Sequence, residues 1–129
     1  MGQVIEQQAE MLFPTVLERP RWVDRKTVES WNSWRDAVLW CWANRPDRCQ
    51  GEQGDQAMFR HLCKRHFSRE CHAPHVSRWV SERSNAPMDL PPDLKPAFEA
   101  FTGWRGLTQY AARLVGVSIF EEVQARLMA

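Results

Sequence analysis

No stretch of this chain approaches the roughly 20 apolar residues that a membrane-spanning helix requires. Its first ten residues, MGQVIEQQAE, lack the basic start and apolar run of a secretory signal. Both absences point to a cytoplasmic protein without a membrane partner. Gly2 follows the initiator as in a myristoylation signal, but Glu6 stands where that signal carries serine or threonine, so no lipid anchor is expected. There is no glycine-rich phosphate loop, no H-E-x-x-H pair and no nucleophile elbow, which removes the commonest sequence grounds for an enzyme or a bound cofactor. Nowhere does apolar and polar character alternate long enough for a convincing strand, and no internal repeat is found.

What remains is a folding composition. Apolar residues make up 43% of the 129, charged residues 26%, and seven are tryptophan, which is outside the regime of disorder and enough for a single core. Helical spacing recurs. In TVESWNSWRDAVLWCWANRP the apolar positions Val28, Trp31, Trp34, Val38, Leu39 and Trp42 fall three and four apart, with Thr27 suited to cap the start and Pro46 beyond the end. GEQG reads as an interruption, after which DQAMFRHLCKRHF forms a second helix with Asp55 at its cap or first turn. HAPHVSRWVSERS opens a third at Pro74, where the missing N–H costs little, with Val76, Trp79 and Val80 inward and His75, Ser77, Arg78, Ser81 and Glu82 outward.

A fourth helix, PDLKPAFEAF, carries Leu94, Ala97, Phe98 and Phe101 on one face and stops at Gly103. A fifth, WRGLTQYAARLVG, stops at Gly116. The expected fold is all-α: a compact bundle of about five helices spanning residues 27–129, preceded by an arm or linker over residues 1–26 that is partly helical at most. Trp31, Trp34, Trp40 and Trp42 lie on more than one face of the first helix, so some are expected at the surface unless a second chain covers them.

The net charge of +1 conceals an uneven distribution. Residues 56–85 hold six basic side chains (Arg60, Lys64, Arg65, Arg69, Arg78 and Arg83) against Glu70 and Glu82, a local charge of +4, and all four histidines. Such a patch suits a phosphate backbone or, more plainly, a solvated helix face. Four cysteines in a cytoplasmic chain read as free thiols. Cys63, His66, Cys71 and His75 form C-x2-H-x4-C-x3-H, the donor set of a structural zinc site, although Cys63 equally suits a small buried position between two helices. No metal is the preferred reading.

The order WRDAVLWCWANRP, a second helix, HVSRW, then LPPDLKPAFEAFTGWRGLTQYAARLVG resembles the small helix-turn-helix regulators of phages and prophages in the lambda repressor and Cro-like class, over residues 30–116. The resemblance implies operator binding to double-stranded DNA without catalysis, in the host bacterial cytoplasm, as a homodimer. It implies that the helix begun at Pro74 enters the major groove, with His75, Ser77, Arg78 and Ser81 toward the bases and Lys64, Arg65 and Arg69 on phosphates. Leu62, Cys63, Val76 and Trp79 would form the core between the two helices. Where the family places a small residue and a glycine, this chain has His66 and Glu70, so the turn is read as about three residues longer than the usual three to four. Dimer contacts are expected from Trp104, Tyr110 and Phe120 or from the arm. The alternative is a phage-encoded protein of the same fold that binds and inhibits a host protein, favoured by the low net charge and the abundance of tryptophan.

Overall fold

The computed structural model of the chain describes residues 20–47, 49 and 51–116. Among them are six α-helices: α1 (Arg25–Ser30), α2 (Trp34–Ala43), α3 (Gly51–Phe67), α4 (Ala73–Val80), α5 (Lys95–Thr102) and α6 (Gly106–Leu114), with one 3-10 turn at Pro92–Leu94. No strand occurs among the described residues, and the class is all-α as expected. Residues 1–19 of the expected arm, and Phe120, lie outside the described residues.

Two expected helices are drawn differently. The helix expected from Thr27 is two, because the side chains around Asn32 close the backbone before Trp34. Ser33 accepts from the Asp36 N–H at 3.1 Å, and Asp36 accepts from the Asn32 N–H at 2.9 Å. The first of the two is capped by Asp24 rather than Thr27, its carboxylate accepting from the Lys26 N–H at 3.1 Å. GEQG does not interrupt a helix but begins one, with Gly51 at φ 77° leading into α3. Asp55 is consequently inside α3, where it is buried and pairs with the Arg45 guanidinium.

α2 is the hub, packed against α4, α5 and α6, while α3 packs on α4 and α5. Trp42 occupies the centre. Its indole stacks on Phe101 at 5.4 Å and on Phe98 at 6.1 Å between centroids, and it meets Phe59 edge-on at 6.1 Å. Leu94, Ala97, Phe98 and Phe101 are all buried, as their common face predicts. The four tryptophans of the first helical stretch divide between the core and its edge. Trp31 and Trp42 are buried, and the half-buried Trp34 and Trp40 lie against Tyr110 at 4.9 Å and Trp104 at 5.1 Å. Tyr110, buried, and Trp104, half-buried, take part in these ring contacts within the domain. Leu114 and Val115, at 58% and 74% exposure, are the large apolar side chains standing out at that end.

Packing begins before residue 27. The Arg21 N–H donates to the Gly103 carbonyl and the Arg105 N–H to the Arg21 carbonyl, both at 2.8 Å, forming a parallel bridge between Arg21 and Trp104. Val23, fully buried, has both backbone groups met by one side chain: its N–H donates to Gln109 Oε1 at 2.8 Å, and Gln109 Nε2 donates to its carbonyl at 2.9 Å. Residues 20–26 thus belong to the packed body. Cations also lie over the aromatic rings at this edge, Arg21 over Trp104 at 4.5 Å and Arg105 over Trp22 at 5.2 Å.

Two glycines serve different ends. Gly103 takes φ 77°, the left-handed region that closes α5. Gly106 is needed for space: a Cβ there would meet Cys41 Sγ at 2.6 Å and Trp31 at 2.9 Å. Gly106→Ala is therefore expected to destabilise the domain by about 1–3 kcal/mol, through overpacking between α2 and α6. A thermal melt reads this as a fall of at least ~4 °C, and an unchanged midpoint would mean that the two helices separate freely.

Candidate nucleic-acid interface

The helix α4 is specified by its own pattern. Pro74 sits in the first turn, and Val76, Trp79 and Val80, spaced three and four apart, are buried against α2 and α3. His72, Ala73, Pro74 and Arg78 are left exposed, and His75 and Ser77 half-buried. Ser81 is the extended residue that ends the helix, and is half-buried there.

The end of α4 is held by a residue that sequence reasoning missed. Arg35 of α2 donates to the Arg78 carbonyl at 3.1 Å and to the Ser81 carbonyl at 2.8 Å. A cation on the last carbonyls of a helix meets both their unpaired acceptors and the negative end of the dipole. The Arg78 carbonyl also accepts from the Met88 N–H at 3.1 Å, and the Arg78 guanidinium rests 3.7 Å from Met88 Sδ. Its stem is placed while its head remains at the surface.

The connection from α3 runs over residues 68–72. Ser68 takes φ 50°, a left-handed conformation that turns the chain, and the Arg69 N–H donates back to the Cys63 carbonyl at 3.0 Å. Arg60 reaches from within α3 to the Cys71 carbonyl at 2.9 Å. Leu62 and Cys63 are buried beneath this turn, as the helix-pair core requires, and the Cys63 and Cys71 thiols are hydrogen-bonded to each other.

The six cations of the basic segment differ in use. Arg60 is half-buried and engaged with the turn. Lys64 pairs with Glu70 at 3.5 Å and Arg69 with Asp93 at 3.0 Å, both at the surface. Exposed pairs of this kind are worth about 0–1 kcal/mol, so a phosphate can displace the carboxylate. Arg65 and His66 are exposed in the last turn of α3, and Arg78 and Arg83 are exposed further on. Slight burial, with Arg65 and His61 nearby, lowers the His66 pKa.

Three of the four cysteines, Cys41, Cys63 and Cys71, carry thiols that burial keeps protonated. Burial, with Glu99 adding to it, pushes the Cys41 pKa up to about 12. Burial likewise raises the pKa of Cys63, and less strongly that of Cys71. A thiol in that state is a poor nucleophile. Nor do the four possible zinc donors converge: among the described residues no group of three or more His, Cys, Asp or Glu side chains is placed to hold a metal. Cys63 points into the core while His66, three residues on, is exposed, and the His75 ring lies edge-on to His72 at 5.5 Å.

The described helices are also too short or too polar to cross a membrane. Compared with protein families, with curated proteins and with solved structures, the chain shows no significant match to any.

Proposed function

We propose that this chain is a sequence-specific DNA-binding regulator of the phage and prophage helix-turn-helix kind, acting by operator binding without catalysis in the host bacterial cytoplasm. In this reading α3 and α4 are the helix pair and α4 is the recognition helix. The observation that carries it is the division of α4: Val76, Trp79 and Val80 are buried, so the exposed N-terminal edge and the Arg78 head are left for a groove. Arg78 reads a base edge, and His75 and Ser77 at half-burial contact the groove wall. Ser81, at the end of the helix, adds at most a phosphate contact. Lys64, Arg65 and Arg69 take phosphates from the side where α3 ends.

One recognition helix buries little surface, so a two-fold site read by a homodimer supplies the affinity. The exposed Leu114 and Val115 are the apolar surface offered for that contact. A second reading, a protein of this fold that binds a host protein, is favoured by the carboxylates already beside Lys64 and Arg69.

Salt separates the two. For about four phosphate contacts, raising salt from ~50 to ~200 mM is expected to weaken binding to duplex DNA by about 100-fold. Fluorescence anisotropy with the chain's own upstream DNA and with random duplex reads both this slope and the preference. Absence of binding at low salt would leave the protein-binding reading in possession of the surface.

A further inference from the structure

Between α2, the C-terminal half of α4 and residues 88–95 the fold forms a cleft of about 310 Å³. This volume lies at the small end of ligand pockets, which run from roughly 300 to 1,000 Å³. Its apolar wall is made by Trp34 and Val38 of α2 and Trp79 of α4, and its charged lining by Arg35, Lys95 and Asp89.

The charges are the informative part. Lys95 places its ammonium 3.3 Å from the centroid of the Trp34 ring, so its charge is met by a π face and not by a carboxylate. Partial burial lowers its pKa and no acid is near enough to offset this, so an anion arriving there is favoured by the charge it meets. Arg35 gives two of its five N–H groups to backbone carbonyls, neutral acceptors that leave its charge without a counter-ion. Two cations against Asp89 give the cleft a surplus of one positive charge. Indole and aliphatic side chains in its lining, a net cation and a volume that admits one or two rings define the ligand: flat, apolar and singly negative.

We infer that this cleft binds a small aromatic carboxylate, its ring against Trp34 and Trp79 and its carboxylate on Lys95. Trp79 is the buried anchor of α4 and Arg35 holds the end of that helix, so the occupant touches the two residues that set the position of α4. The site stands whether or not α4 reads DNA, because its walls and charges belong to the helix packing.

The test uses the full chain without DNA. Indole-3-acetate is titrated into ¹⁵N-labelled protein, with the assigned indole N–H resonances of Trp34 and Trp79 followed by NMR. Tryptophol, the matching uncharged alcohol, serves as the control ligand, and Lys95→Gln as the control protein. Saturable shifts at both indoles are expected, with affinity at least tenfold weaker for tryptophol and for Lys95→Gln. No saturable shift, shifts confined to other tryptophans, or equal affinity for acid and alcohol would each overturn the inference. The alcohol comparison is made on the unaltered protein, so the result stands even if Lys95→Gln folds poorly.

Discussion

Trp42→Ala is expected to lower the stability of the domain by about 3–5 kcal/mol, the cost of removing a large aromatic from a site that cannot collapse around the void. The indole is the shared neighbour of Phe59, Phe98 and Phe101, so three rings on two other helices lose their common partner together. Against a total of about 5–15 kcal/mol for a domain this size, the loss is a third or more. Urea unfolding followed by circular dichroism measures it. Trp42→Phe is the informative control. The Trp42 indole nitrogen is buried without a hydrogen-bond partner, so phenylalanine keeps the stack and removes an unmet donor, and a cost below about 1.5 kcal/mol is expected. If Trp42→Ala unfolds at nearly the parent's urea concentration, α2 is not the hub of the packing.

Arg78→Ala is the corresponding change at the surface. Under the proposed function it removes a base contact worth about 1–3 kcal/mol, a loss of roughly 5- to 150-fold in affinity for the preferred duplex. Binding to random duplex should fall far less, because phosphate contacts from Lys64, Arg65 and Arg69 are common to both. The fold is expected to survive, since the side chain is exposed and gives up a single surface contact with Met88 Sδ, while the backbone carbonyl of Arg78 that Arg35 and Met88 use is kept. The readout is the ratio of the two affinities in the same buffer. A ratio equal to the parent's would remove Arg78 from base reading and leave it a phosphate contact at most.

The helices were legible in the sequence wherever a single face is apolar. Val76, Trp79 and Val80 in α4, and Leu94, Ala97, Phe98 and Phe101 around α5, are buried as their spacing requires. Prediction faltered where a polar side chain could act on either of two backbones. Thr27 and Asp24 are both capping residues, and the packing of Val23 selects Asp24. Asp55 has the composition of a helix start, but its partner Arg45 draws it inside. The site was legible as a list of exposed residues and opaque as an assembly. Arg35 is 43 residues from Arg78 and reads as an ordinary charge on a helix. The pairings of Lys64 with Glu70 and Arg69 with Asp93 depend on how the turn is folded, which local pattern does not encode.

The double hydrogen bond between Gln109 and Val23 restricts which amino acid position 109 accepts. Its amide acts as one rung of a strand pair, donating and accepting at the same backbone residue across 86 positions of sequence. Glutamate has the length without the donor, and asparagine has both groups one methylene short. Alanine would leave the Val23 N–H and carbonyl buried and unmet. A chain that shares this architecture is therefore marked by a glutamine in its last described helix opposite an apolar residue just before its first.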